Sequence, residues 1–387
     1  MKRILPLAFA ILFSLVCFQS ALAQGNYVYI NSNLGRPNGM NSVVAFRNDG
    51  FGNLTQVPGS PFLTQGSGVF DPHGILNPTD ADQQVVVNPQ GTFLYAVNSH
   101  SNTIAVFSIR SNGALTPVPG SPFASGGLDP VSIGLDLNRG LMAVVNRDGD
   151  PTQPMRGTVP NYATFIVGGN GALTPTRNLV PLVPLSRPEQ AVMDQADNVM
   201  FGVQYETSDI VSYQVGATGT LTSVTQLGPP VAGAQPLGAV LNPSQRVFYV
   251  SFPVAALIGI YTYDPSGALT FVQTIPALGG NCWMAINASG TRLYVADSGI
   301  ASVSVYDTTV GTSPVLLQTF ALKGAVRALN MALDPTGNFL YVLDVLSIQR
   351  LHTLQILADG TLQENGNPVT LPVPKGAAPV GVATVLK

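Results

Sequence analysis

Charge is scarce in this sequence. Asp, Glu, Lys and Arg together make up 10% of 387 residues, where a soluble domain carries roughly a quarter. Four lysines and no basic cluster exclude a chain that binds nucleic acid by releasing counterions from phosphate. Three glutamates among 40 glycines and 31 prolines exclude a helix-rich fold, because the strong helix formers are missing and the breakers are everywhere. What is present is apolar: 45% of the residues are hydrophobic, which excludes disorder.

The one long apolar run is at the N-terminus. Lys2 and Arg3 precede an uncharged stretch over 4–16, and Ala21-Leu22-Ala23 places small residues where a signal peptidase reads them. The pattern predicts a secretory signal over 1–23, a mature chain over 24–387, and a secreted or periplasmic protein with no membrane anchor after cleavage. The run falls short of the ~20 residues of a spanning helix. Cys17 follows Val16 rather than a small residue, which argues against a lipid anchor. Cleavage removes Cys17 and leaves Cys282 alone, so no internal disulfide can form. Beside Trp283, Cys282 reads as a small buried hydrophobe.

A chain of this length outgrows a single core, which usually stops near 250–300 residues. Internal repetition resolves that. The segment Asn88-Pro89-Gln90-Gly91-Thr92-Phe93-Leu94-Tyr95-Ala96-Val97-Asn98 aligns without gaps with 136–146, 194–204, 242–252, 287–297 and 334–344, and its second half matches 27–31. That makes seven copies. Three copies carry an Asx-x-x-Gly turn between two apolar runs, at 88–91, 287–290 and 334–337, and most carry a second turn such as Asn112-Gly113-Ala114-Leu115-Thr116. One unit predicts four short strands over 130–136, 142–146, 162–167 and 173–178. Seven units of four antiparallel strands predict an all-β, seven-bladed β-propeller. The first unit lacks its innermost strand and 379–385 is a strand with nothing after it, so the C-terminal strand is expected to join the N-terminal blade and close the ring.

These units, with Thr103-Ile104-Ala105-Val106-Phe107-Ser108-Ile109 after one of them, resemble YVTN repeats. They also resemble the seven-bladed lactonase family that includes bacterial 6-phosphogluconolactonase and fungal carboxymuconate cyclase. The resemblance implies the propeller fold and a site of scattered loop residues at one mouth of the central channel. It also implies an Arg-His pair entering one inner strand and an Asn-Glu pair after the next, where this chain reads Pro188-Glu189-Gln190 and Gln204-Tyr205-Glu206. Pro72-His73-Gly74 is similar to the family's other histidine motif.

Position eleven of the repeat ends the second strand, and it is polar in six of seven copies: Asn31, Asn98, Asn146, Gln204, Asp297 and Asp344, with Phe252 the exception. These side chains, with His100, are the candidates for binding a ligand at the mouth, or else they cap their own turns. Glu206, Arg187, His73, Glu189 and Arg147 are the candidates for chemistry. An arginine would steady a developing oxyanion, and a glutamate or histidine would activate water. Taken blandly, Arg187 and Glu189 form an exposed turn pair, Asp148-Gly149-Asp150 is a solvated turn rather than a calcium loop, and His352 is a hydrogen-bonded or exposed strand histidine. Three dispersed histidines argue against a zinc site, and no cofactor motif or Gly-x-Ser-x-Gly elbow occurs. The expectation is a monomer without cofactor that binds a small polar ligand or protein partner at the mouth; the alternative is a lactone hydrolase.

Overall fold

The repeated Asx-x-x-Gly step works as a side-chain-capped hairpin. Asn88 Oδ1 accepts the amides of Thr92 and Phe93 at 2.7 and 2.8 Å, and Asn287 Oδ1 accepts those of Thr291 and Arg292 at 2.8 and 3.0 Å. Asp334 Oδ1 takes the amide of Phe339 at 2.9 Å. The glycine of each turn sits in the left-handed region, at φ +64° for Gly91 and +69° for Gly290, where a Cβ would be strained. The second strands that follow are buried almost throughout, as in Phe93–Asn98 and Leu141–Asn146. The fourth strands, such as Leu173–Pro181, alternate toward solvent.

The structure is a computed structural model, and it describes residues 25–35, 39–69, 81–136, 138–153, 158–346 and 348–387. Among these, seven antiparallel sheets form, each four strands deep, and the single helical element is a 3-10 turn at Ser298–Ile300. In blades 1, 2 and 7 the outermost strand is broken into two short segments. The innermost strands, in blade order, are Val382–Leu386, Val85–Val87, Pro130–Asp136, Pro188–Asp194, Ala239–Asn242, Asn281–Ile286 and Ala328–Leu333.

The ring closes between remote ends. Val382–Leu386 pairs antiparallel with Asn26–Asn31, with Leu386 opposite Asn26 and Val382 opposite Ile30. The ladder is extended by mutual backbone bonds between Gly25 and Lys387 at 2.6 and 2.8 Å.

Apolar clusters lie between blades rather than within them. Tyr95, Val97 and Ile104 of blade 2 pack with Met142, Val144 and Phe165 of blade 3, so each blade covers its neighbour's face. Hydroxyls of five blades then reach the next one's turn. Tyr29 donates to Gly113 O at 2.9 Å, Thr164 to Gly219 O at 2.8 Å, Ser212 to Gly267 O at 2.6 Å, Tyr249 to Gly311 O at 2.8 Å and Tyr294 to Gly360 O at 3.1 Å. The Gly-Ala-Leu-Thr turn is thus an inter-blade contact as well as a hairpin.

Candidate active site

Register fixes where the mouth lies. Pro130 pairs with Asn146, Pro188 with Gln204, Asn281 with Asp297 and Ala328 with Asp344. Each inner strand therefore starts beside the end of its blade's second strand, and both adjoining loops open at the same face. In blades 3 and 4 the register slips just after the proline, leaving Val131 and Glu189 as extra residues. Such a bulge re-aims a side chain. Val131 joins the inter-blade apolar core; Glu189, in the same place one blade on, carries a carboxylate into it.

That carboxylate is paired. Arg147, from the loop after the second strand of blade 3, hydrogen-bonds Glu189 Oε2, and the two side chains are 2% and 0% exposed. Arg187 Nε lies 3.2 Å from Glu189 Oε1, and Arg187 Nη1 lies 3.7 Å from Glu206 Oε1. The Arg187 guanidinium also covers the Tyr205 ring at 4.6 Å. From Arg147 outward, exposure rises to 21% at Arg187 and 50% at Glu206, so the Arg–Glu–Arg–Glu chain runs from the core to open solvent. The reading of Arg187 and Glu189 as an exposed turn pair is corrected here, because the bulge turns Glu189 inward.

A second cluster adjoins it. His100, in the equivalent loop of blade 2, places Nδ1 2.8 Å from Asp150 Oδ2. Asp150 Oδ1 accepts the amide and hydroxyl of Thr152 at 2.8 and 2.7 Å. A neutral imidazole facing an ionised carboxylate donates from Nδ1, and Thr152 Oγ1 and Gln153 Nε2 also approach that nitrogen at 3.2 and 3.3 Å. The imidazole is 29% exposed while Asp150 is buried. Asp148 is buried too and accepts from the Thr158 hydroxyl at 3.1 Å. Asp148-Gly149-Asp150 is therefore not a solvated turn: contacts from blade 2 and residue 158 fold its carboxylates inward.

Between the clusters sits Asp129, fully buried and held at φ +54°. Burial pushes its carboxyl up to about 7, nearby Arg147 pulls it down, and Asp150 and Asp148 push it up. Burial also raises Asp148. Asp82, deeper in the channel, accepts from Gln190 and Asn330 at 3.1 Å each, and burial raises it to about 6. Carboxyls raised by burial beside charged partners, as at Asp129, are found at functional sites and in structural ion-pair networks alike. Sequence reasoning missed Asp129, Asp150 and Tyr205; the one available signal was the density of acids over 129–150.

The position-eleven residues are engaged within the protein, Asn31 and Asn98 across the interface of blades 1 and 2 and the others nearer their own strands. Asn31 donates to Asn33 Oδ1 and Val97 O at 3.1 and 3.2 Å, and Asn98 Oδ1 accepts from Asn41 and Thr64 at 3.0 and 2.6 Å. Asn146 donates to Ser125 O and Asn161 Oδ1 at 3.1 and 3.0 Å; Gln204 accepts from Thr207 at 3.4 Å. Asp297 accepts from Ser304 at 2.6 Å, and Asp344 takes the amides of Val326 and Arg327 at 2.9 Å each. All six are buried. The structure brings Arg147, Arg187, Glu189 and Glu206 together and leaves these six in separate blades. His73, Cys17 and the whole segment 1–23 lie outside the described residues. Cys282 is buried, with the Ser298 hydroxyl 3.0 Å from its sulfur. Among the described residues, no three His, Cys, Asp or Glu side chains gather closely enough to hold a metal ion.

The arrangement places an imidazole bonded to a buried carboxylate and a partly exposed guanidinium on one mouth. Comparison with solved structures shows the same fold. A periplasmic gluconolactonase from Pseudomonas aeruginosa is 15% identical, with TM-score 0.72 over 94% of this chain and 99% of its own. A Bacteroides fragilis protein provisionally named as a 6-phosphogluconolactonase is 15% identical, with TM-score 0.72 over 95% and 99%. A Lactobacillus plantarum protein of no stated function is 18% identical, with TM-score 0.71 over 94% and 99%. No curated protein matches the chain. A family model described as lactonase, 7-bladed beta-propeller, matches residues 184–378. With half of its length matched and all seven blades in place, this chain belongs to the seven-bladed β-propeller lactonase family.

Proposed function

We propose that the mouth over blades 2 to 4 hydrolyses a lactone. The observation that carries this reading is the His100–Asp150 pair, a partly exposed imidazole braced by a buried carboxylate on the same mouth as Arg187. In the proposed step His100 Nε2 takes a proton from water as the oxygen adds to the lactone carbonyl. Arg187 stabilises the resulting oxyanion. Collapse breaks the ring C–O bond, and the imidazolium returns its proton to the leaving alkoxide, so base and acid are one residue. Glu206, half-exposed beside Arg187, is the alternative base.

Acid release measured over a panel of sugar and aliphatic lactones tests this, with His100→Ala, Arg187→Ala and Glu206→Gln beside the wild type. Turnover lost in His100→Ala with folding intact supports the assignment; turnover retained there and lost in Glu206→Gln moves the base to Glu206. A second reading, ligand binding without turnover, is favoured by Glu189 and Glu206 flanking Arg187, which weakens it toward an oxyanion. No turnover, with thermal stabilisation by a lactone or its acid, would establish that reading. The N-terminal pattern further supports export, with cleavage after Ala23; N-terminal sequencing of exported protein that begins at Met1 would refute it.

A further inference from the structure

The seam where the ring closes holds a cleft of about 270 Å³, between the outer turn of blade 1 and the broken outer strand of blade 7. Phe51 forms its lip and is 88% exposed. The equivalent turns of blades 2, 3, 4, 5 and 7 place Asn112, Asn170, Thr218, Ser266 and Asp359 just before the same glycine. Three of these cap their own turn, accepting the amide two residues on at 3.2, 3.1 and 2.9 Å for Asn112, Asn170 and Asp359. In blade 1 that task has moved to Asp49, whose Oδ1 accepts the amides of Phe51 and Asn53 at 2.8 and 3.1 Å. Asn48 Oδ1 takes those of Gly50 and Gly52 at 2.8 and 3.1 Å, while its amide donates to Tyr341 of blade 7 at 2.6 Å. Gly52 allows the close approach: a Cβ there would meet Phe339 at 3.2 Å. A large aromatic ring is thus held out in solvent by a hydrogen-bonded turn, at a repeat position that five sister blades fill with polar residues and blade 6 with Val310, itself 61% exposed.

The rest of the lining mixes Leu54, Phe339 and Val369 with polar side chains. Thr353 and Gln355 line it from the third strand of blade 7, and Asn365 and Asn367 from the loop that interrupts the fourth. Glu364, the one acid in the wall, has its carboxylate between His352 Nδ1 at 2.7 Å and the Lys323 amide at 2.9 Å. The Lys323 ammonium binds Asn367 Oδ1 at 2.7 Å, which leaves the Asn367 amide hydrogens outward. The one carboxylate in the wall is already bonded, the Asn365 amide donates to Gln355 Oε1 at 2.8 Å, and a wholly apolar ligand would leave the Asn367 amide hydrogens without a partner. A ligand with a C–H face for the ring and hydroxyls for the amides satisfies both halves. We infer that this seam is a second binding site, for a neutral saccharide, with Phe51 as its stacking platform and Asn367 and Thr353 as hydrogen-bonding partners.

The inference is independent of lactone hydrolysis at the mouth. Calorimetric titration of the full protein with neutral hexoses, N-acetylhexosamines and disaccharides tests it. At least one should bind, Phe51→Ala should weaken it about tenfold, and Thr353→Val should weaken it further. Phe51→Ala should leave any lactone turnover unchanged, and Arg187→Ala should leave the saccharide bound. Absence of binding across the panel overturns the proposal. So does binding that survives Phe51→Ala but fails in Arg187→Ala, which would place the sugar at the mouth. Self-association of the wild type abolished by Phe51→Ala, without sugar binding, would assign the ring to an interface instead.

Discussion

The guanidinium of Arg147, carried by blade 3, closes on the carboxylate of Glu189, carried by blade 4, and neither side chain reaches solvent. Both charges stand between apolar blades, so each is tolerated through the other. Removing Glu189 takes away the carboxylate that Arg147 and Arg187 share and costs about 3–5 kcal/mol. Removing Arg147 leaves Glu189 with Arg187 at 3.2 Å, and replacing a buried pair with apolar residues of similar size is often close to neutral. Glu189→Gln and Arg147→Met should each lower the urea midpoint, Glu189→Gln the more strongly, and the double variant Arg147→Met/Glu189→Leu should recover much of the loss. Additive losses would mean that the two residues do not stabilise as a pair.

Asp150 is a positioning residue in the proposed reaction. Its carboxylate sets the tautomer of His100, and Asp150→Asn can present an amide N–H to Nδ1, which turns the ring lone pair the wrong way. The variant should fold normally and lose turnover by about 100-fold or more, chiefly in kcat. A rise in KM alone, with kcat unchanged, would assign Asp150 to loop structure.

The propeller was legible because its determinants are local and repeated. Asn88, Asn287 and Asp334 cap equivalent turns, and the unpaired C-terminal strand had one open edge to join. The site was half legible. Arg147, Arg187, Glu189 and Glu206 stood out because charge is scarce, but their burial did not, since it depends on one extra residue at the start of an inner strand. Val131 occupies the same bulge with no chemistry at all. Asp150 looked solvated because its partner His100 is 50 residues earlier and reaches it only across the blade interface. Local turn chemistry is readable along a chain, whereas contacts between blades depend on bulges and loop paths that residue type does not encode.

Ring closure should carry stability out of proportion to its length. Val385 and Ala383 sit in the apolar cluster shared by blades 1 and 2, and Thr384 donates to Leu333 O of blade 7 at 2.6 Å. Deleting residues 380–387 removes a strand that contacts blades on both sides and exposes the edge of Asn26–Asn31. The truncated protein is expected to lose several kcal/mol and to aggregate through the free edge. A melting temperature equal to that of the full chain would show that the remaining blades hold the ring without it.

The buried acids give this fold an acid-leaning pH profile. Burial raises Asp129 and Asp297 to about 7 and Asp82 to about 6. For His352 burial acts downward, but its bonds to Asp344 and Glu364 outweigh it and hold the imidazole above its usual value. All four groups bind protons more tightly folded than unfolded. Their contribution is complete below the unfolded values, near 4 for the acids and 6.5 for the histidine, and is lost as pH rises through the folded ones. Asp344 acts in the opposite sense. Although burial opposes it, His352 and the amides of Arg327 and Val326 lower its carboxyl, so its contribution is lost as the solution becomes strongly acid. Thermal stability should therefore peak at about pH 5 and decline toward pH 8. Asp129→Asn and Asp297→Asn keep the neutral shape of the protonated acid, and each should flatten the decline without lowering stability at pH 5. A melting temperature that rises from pH 5 to pH 8 in the wild type would mean that these carboxyls are ionised in the folded protein and more solvated than their packing implies.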